Sequence, residues 1–298
     1  MFKKVMVVLL AVLLAATVLT GCGNRGAESQ AEGGAKGTVK LGYVNWVDVI
    51  ALTNVATIIL EDTMGYQVEN TLADLAPIYT SIASGSTDAY LGTWLPLTHA
   101  VHMEKYGDDL EVLGTVYEEG VQGLAVPAYM DINSIEELVG NEALVDNRIV
   151  GVDPGAGIMK AAEEALEEYG LDLKLINGSD PTMTAALSKA IAAEEPIVIT
   201  GWKPHWKFTR YDLKLLEDPK LCFGEEEKAY NIARLGLSED MPEVAEFLRN
   251  MYLSIDQVQE IIYMMETSDA DDKEVCREWI SQNIDLVNSW LPEGYTVQ

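Results

Sequence analysis

Three tryptophans stand where a chain can set a ring against a ligand. Trp46, Trp94 and Trp202 each close a short β-rich run and lie beside Asn, Gly or Pro. A side chain at such a strand end faces a crevice rather than a core. The spacing repeats. Trp46 to Trp94 is 48 residues, and Pro154 to Trp202 is also 48. Both stretches end on Gly, an optional residue, Trp, any residue, Pro. Several indole faces around one space suit a quaternary ammonium cation. Such a cation has no N–H to donate, so acceptor groups cannot hold it, but the negative face of an aromatic ring attracts it. Each desolvated contact is worth on the order of 2 kcal/mol, and three supply much of the ~8 kcal/mol of micromolar binding. A cage of Asp or Glu would instead have to desolvate its own charge. The other three indoles read as packing: Trp279 and Trp290 at apolar helical spacing, Trp206 inside a turn that leads into a helix.

The segment Asp153-Pro-Gly-Ala-Gly-Ile158 supplies the opposite charge preference. It is a tight turn running into a helix. Its glycines let backbone approach a ligand, and the first N–H groups of a helix have no partner within it. That is an anion site. It lacks the phosphate-loop Lys, so a carboxylate fits better than a polyphosphate; a plain turn is the alternative. His99, five residues after Trp94, is placed to donate to the same carboxylate or to serve as a structural histidine. A cation cage joined to a carboxylate cradle describes a betaine.

The elements that must position these residues come in two similar halves. Strands are expected over residues 39–44, 67–72 and 89–91, with helices over 49–63 and 77–83 between them. The second half repeats the order: strands at 148–152, 173–176 and 197–200, helices at 158–169 and 181–193, the latter with Asp180 as its cap. Strand–helix alternation implies parallel sheets with right-handed crossovers and a crevice beyond the carboxyl ends of the strands. From about residue 226 the chain reads as helical, over 242–252, 255–266 and 275–291. Crossings between the halves are expected near residues 123–128 and 222–227, a hinge suited to closure around a ligand. The segments read as a first lobe over 38–125, a second over 126–225, and completion of the first over 226–298.

The chain has 298 residues, 48% of them hydrophobic, 23% charged and only 3 Cys. Wholesale disorder and a disulfide framework are excluded. A formal charge of −28 argues against nucleic-acid binding. The N-terminus reads as an address. Lys3 and Lys4 precede an apolar run over residues 5–19, too short to span a membrane comfortably, which ends in Leu19-Thr20-Gly21-Cys22. That tetrad resembles the bacterial lipoprotein signal, with residues 1–21 removed and Cys22 lipid-modified. Residues 22–37 follow as a flexible tether. Removal of 1–21 takes Lys3 and Lys4 with it and moves the formal charge from −28 to −30.

Two other classes of protein fit the residues less well. A metal site would use His99, His102 and Glu104 with His205, but it leaves the three Trp without a task. An enzyme would need a nucleophile elbow, an activated Cys or a marked carboxylate pair, and none is present. Neither a metal nor a cofactor is expected. Cys222 and Cys276 read equally well as a pair or as free thiols.

From Lys40 onward the sequence resembles the glycine betaine/proline betaine substrate-binding proteins of ABC importers. The motifs that carry the resemblance are Gly42-Tyr-Val-Asn-Trp46, Gly92-Thr-Trp-Leu-Pro-Leu-Thr-His99, Gly151-Val-Asp-Pro-Gly-Ala-Gly-Ile158 and Thr200-Gly-Trp-Lys-Pro-His-Trp206. The resemblance implies an α/β fold of the two-lobed type II periplasmic-binding kind, with parallel sheets flanked by helices and a ligand cleft between the lobes. It implies that Trp46, Trp94 and Trp202 form a prism around the trimethylammonium group. It implies that the backbone N–H groups of Gly157 and Ile158, with His99, hold the carboxylate. Its implied partner is a membrane permease, reached by an extracytoplasmic, lipid-anchored receptor. Some members have the halves in the opposite order, and some place an aromatic where Ala156 stands. Members preferring choline or carnitine often use Tyr cages, so the all-Trp set points to a betaine. The sequence does not rank glycine betaine against proline betaine.

Overall fold

The computed structural model of the protein describes residues 36–298. The leader, Cys22 and nearly all of the tether therefore lie outside the described residues.

The first half runs β1 (Thr38–Tyr43), α1 (Val47–Ile58), β2 (Gln67–Leu72), α2 (Leu75–Ala83) and β3 (Ala89–Leu95). β1 pairs in parallel with both β2 and β3. α1 is apolar nearly all round, burying Val49, Leu52, Val55 and Ile58 among others. A helix of that composition has to be enclosed, and the C-terminal helices cover the face that the sheet leaves free. A five-residue π-helical segment, Ile59–Thr63, prolongs it to a left-handed Gly65.

α3 (Ala100–Tyr106) leads into β4 (Leu110–Pro127), an 18-residue strand that sequence periodicity did not reveal. The second half is β5 (Arg148–Val150), α4 (Gly157–Tyr169), β6 (Lys174–Ile176), α5 (Asp180–Ala192) and β7 (Ile199–Lys203), again with β5 parallel to β6 and to β7. Ser179, not Asp180, caps α5, forming a reciprocal capping box with Thr182. That releases the Asp180 side chain to the interior, where it is 2% exposed. The short α6 (Lys207–Arg210) and β8 (Leu213–Leu215) follow.

β9 (Glu227–Arg234) is the main departure from the expected helical C-terminal region. It sits mid-sheet, antiparallel to β3 and β4. The strand order is β2-β1-β3-β9-β4-β7-β5-β6, with β8 also on β4. β4 pairs with β9 as far as Gly120 and with β7 from Val121 onward, so this one strand joins the two parallel triplets. The strands at the junction are antiparallel because the chain crosses there in both directions. The remaining helices are α7 (Leu237–Asp240), α8 (Pro242–Asn250), α9 (Ile255–Thr267), α10 (Asp272–Gln282) and α11 (Ile284–Trp290). The last two replace the single helix expected over 275–291, broken at Asn283. Trp279 and Trp290 are at most 1% exposed, as core residues should be. Cys222 and Cys276 are free and buried, and burial pushes the Cys276 thiol up to about 12.

Candidate functional site

The two halves meet at a cavity with about 360 Å³ of atom-free space, partly open to solvent. Trp46, Trp94 and Trp202 all line it, together with His99, Gly157 and Ile158. The placement follows from local structure. Trp94 and Trp202 are the penultimate residues of β3 and β7, the closing strands of the two triplets. Trp46 is the extended N-cap of α1, at φ −114° and ψ 139°. Each ring is thus set by a strand end or helix start whose backbone is already hydrogen-bonded.

All three indole N–H groups are tied down by hydrogen bonds, which fixes the rings. Trp46 Nε1 donates to Asp153 of the other half at 3.2 Å. Trp202 Nε1 donates to Asp48 Oδ1 at 3.3 Å, again across the halves. Trp94 Nε1 donates to Tyr117 Oη at 2.7 Å, and the Tyr117 hydroxyl in turn donates to Asp48 Oδ2 at 2.9 Å. Trp46 and Trp202 lie 6.5 Å apart between centroids, tilted by 58°. Trp94 packs onto Gly120, where an added Cβ would come within 3.0 Å of the indole.

Asp48 is the residue that sequence reasoning missed. A buried carboxylate does line the cavity, 2% exposed, although the cost of desolvating it argues against such a cage. The structure meets that cost with two donated hydrogen bonds. Burial pushes the Asp48 carboxyl upward, and the bonds from Tyr117 and Trp202 oppose that push. Its position in the first turn of α1 was legible only as an acidic residue in an apolar helix.

The start of α4 also lines the cavity. Ala156, its N-cap, offers no side-chain cap, so nothing from that residue competes for the first-turn N–H groups. Gly157 abuts the first half: a Cβ there would lie 2.0 Å from the Thr98 carbonyl oxygen. His99 Nδ1 accepts the Trp94 backbone N–H at 3.0 Å, so its proton is on Nε2. Nε2 is buried and has no partner among the described residues. Burial, with a smaller push from His102, lowers the His99 pKa to about 3, so the ring is a neutral donor. An unpaired buried donor costs about 1–3 kcal/mol, which a ligand acceptor would recover.

The turn that presents His99 is held by a second unforeseen carboxylate. Glu227 accepts the backbone N–H groups of Leu97 and Thr98 at 2.7 and 3.0 Å and also the Thr98 hydroxyl. Gln122, opposite Trp202 in the β4–β7 ladder, donates to Thr98 Oγ1 at 2.8 Å. Replacing Glu227 with Gln leaves one buried donor unmet, so a drop of about 1–3 kcal/mol in unfolding free energy is expected. A two-state denaturant titration within 0.5 kcal/mol of wild type would contradict that role for Glu227. Among the described residues, no group of three or more His, Cys, Asp or Glu side chains could hold a metal ion.

The fold and cleft define a two-lobed periplasmic binding protein, and solved structures agree. The ProX glycine/betaine/L-proline-binding protein from Borrelia burgdorferi superposes with a TM-score of 0.83 at 35% identity, over 86% of this chain and 97% of that one. Lactococcal OpuAC, solved closed with glycine betaine, gives 0.82 at 35% identity over 86% and 99%. Residues 37–282 match the family described as the substrate binding domain of ABC-type glycine betaine transport systems, and this chain belongs to that family. The family is one of transport receptors rather than enzymes. The Listeria monocytogenes glycine betaine/carnitine transport binding protein GbuC is 41% identical over 150 residues, 49% of each chain. The matched stretch thus spans about half of that curated relative.

Proposed function

We propose that the protein is the extracytoplasmic receptor of an ABC importer and that its ligand is a betaine, glycine betaine first. The trimethylammonium group sits among Trp46, Trp94 and Trp202. The carboxylate takes the N–H groups of Gly157 and Ile158 and the Nε2–H of His99. The observation that carries this reading is the convergence, on one cavity, of three indoles with an unpartnered neutral His99 donor. Quaternary nitrogen and carboxylate then meet opposite ends of one cleft, and closure joins residues 38–125 and 226–298 to residues 126–225. The closed receptor is presented to a membrane permease. Among the described residues no helix is long and apolar enough to cross a membrane. Anchoring is assigned to lipid on Cys22 after loss of residues 1–21.

Calorimetry with glycine betaine, proline betaine, carnitine and choline tests the ligand directly. Glycine betaine is expected to bind with micromolar or better affinity and to change the tryptophan fluorescence. No heat and no spectral change would remove the assignment. Trp202→Ala should weaken binding about 30-fold, the value of one desolvated cation–π contact of ~2 kcal/mol. Cation–π contacts in a closed cleft are poorly screened, so affinity should change less than about threefold between 0.05 and 1 M NaCl. A steep salt dependence would point to an exposed ion pair instead.

A further inference from the structure

Behind Trp202 lies a cation that the cage does not need. Lys207, the first residue of α6, is 0% exposed. Its Nζ stands 3.8 Å from the centroid of the Trp202 ring and makes no hydrogen bond among the described residues. Lys207 does not line the cavity, whereas Trp202 and Asp48 do. The ammonium of Lys207 therefore addresses from outside the same indole and carboxylate that a ligand cation would address from within.

The ionisable groups facing Lys207 are few. Asp48 comes from α1, Asp180 from α5 and His205 from the turn before α6. His205 Nδ1 accepts the Lys207 backbone N–H at 3.1 Å, and Nε2 donates to Asp180 at 3.0 Å, so the ring is the neutral tautomer. Burial, then the Lys207 charge, lowers the His205 pKa to about 4. Burial works against Asp180, but His205 and Lys207 together hold its carboxyl below the ordinary value. Burial also brings the Lys207 pKa down to about 7, against the pull of Asp180 and Asp48. Of the groups in this cluster, Lys207 is the one poised to change charge near neutrality.

We propose that Lys207 sets the affinity of the cage by competition: its proton and the ligand's quaternary nitrogen vie for the Trp202 ring and the Asp48 carboxylate. Without ligand, the lysine ammonium balances the buried acid. With ligand, the permanent cation takes over that balance, and two cations around one buried indole repel one another. Binding then favours the neutral amine and releases a proton. The sign follows: affinity is low where Lys207 is charged and rises as pH passes through its titration. This inference rests on the betaine reading of the cavity.

Calorimetric titration of the full chain with glycine betaine, at pH 6, 7 and 8 and in buffers of differing ionisation enthalpy, tests it. The expected result is proton release near pH 7 and about fivefold tighter binding at pH 8 than at pH 6, the part of a one-unit pKa shift that falls in that window. In Lys207→Met, which keeps bulk and a sulfur contact to the ring, both effects should vanish, with pH 6 affinity raised to the wild-type pH 8 level. Should that variant not fold, a ¹³Cε titration of wild-type lysines, with and without glycine betaine, reads the Lys207 pKa itself; it should fall by about one unit on binding. Flat affinity with no proton release overturns the competition and leaves the betaine reading standing. Absence of binding at every pH overturns both.

Discussion

Gly157→Ala should abolish useful binding while leaving the free protein folded. The added methyl would sit 2.0 Å from the Thr98 carbonyl oxygen, well inside contact distance, and the obstacle is backbone that no rotamer can clear. Gly157 has no left-handed φ to explain its presence; close approach of the two halves does. The same residue offers one of the N–H groups assigned to the carboxylate. Steric opening of the cleft and displacement of the α4 N-terminus therefore act together, and an affinity loss of at least about 100-fold, ~2.7 kcal/mol or more, is expected. The free protein relieves the clash by parting the halves, so its thermal midpoint should move by no more than a few degrees, the shift of about 1 kcal/mol. Calorimetry and a melting curve with and without glycine betaine check both parts. Wild-type affinity in this variant would show that residues 98 and 157 need not meet for binding.

Asp48→Asn carries the second large effect. Asp48 accepts from Trp202 directly and from Trp94 through Tyr117, so one carboxylate fixes two of the three indoles. An amide can accept one of those bonds and turns an N–H toward the other donor. The loss is about 1–3 kcal/mol for the unmet bond. Removing the negative charge from the cavity wall costs about 2–3 kcal/mol more for a ligand cation about 5–8 Å away at an effective dielectric near 20. Together these amount to at least about 100-fold in affinity. The carbon isostere 3,3-dimethylbutyrate separates the two contributions, since it has the shape and carboxylate without the cation. Its affinity should fall by a factor at least about 30-fold smaller than the loss for glycine betaine, because the charge contribution of ~2 kcal/mol is missing. Equal losses for both ligands would mean that Asp48 acts on ring geometry and not on charge.

Much of this site was legible before any coordinates. Trp46, Trp94, Trp202, His99, Gly157 and Ile158 do line one cavity, because each sits at a strand end or helix start, and those positions follow from punctuation by Gly, Pro and Asn. What escaped notice were the residues behind them. Asp48 is one acid in an apolar helix, Tyr117 and Gln122 lie in a bulged strand, and Glu227 opens a strand read as part of a helical region. Their partners are 23 to 154 residues away, and no local pattern marks such pairings. By sequence Asp180 reads as a helix cap, a local role, whereas tertiary packing uses it as the acceptor for His205.

The sequence by itself determined the alternation of strands and helices, the internal repeat, the aromatic identity of the three residues that line the cleft, and the family. These are properties of spacing and residue type, which local sterics and hydrophobic periodicity read out directly. Only the tertiary structure decided that β4 and β9 run antiparallel through the middle of the sheet, that Asp48 ties two indoles together, and that Lys207 is buried against the Trp202 ring. Those outcomes depend on which buried polar groups find partners across long stretches of chain, and that is settled only when the halves pack.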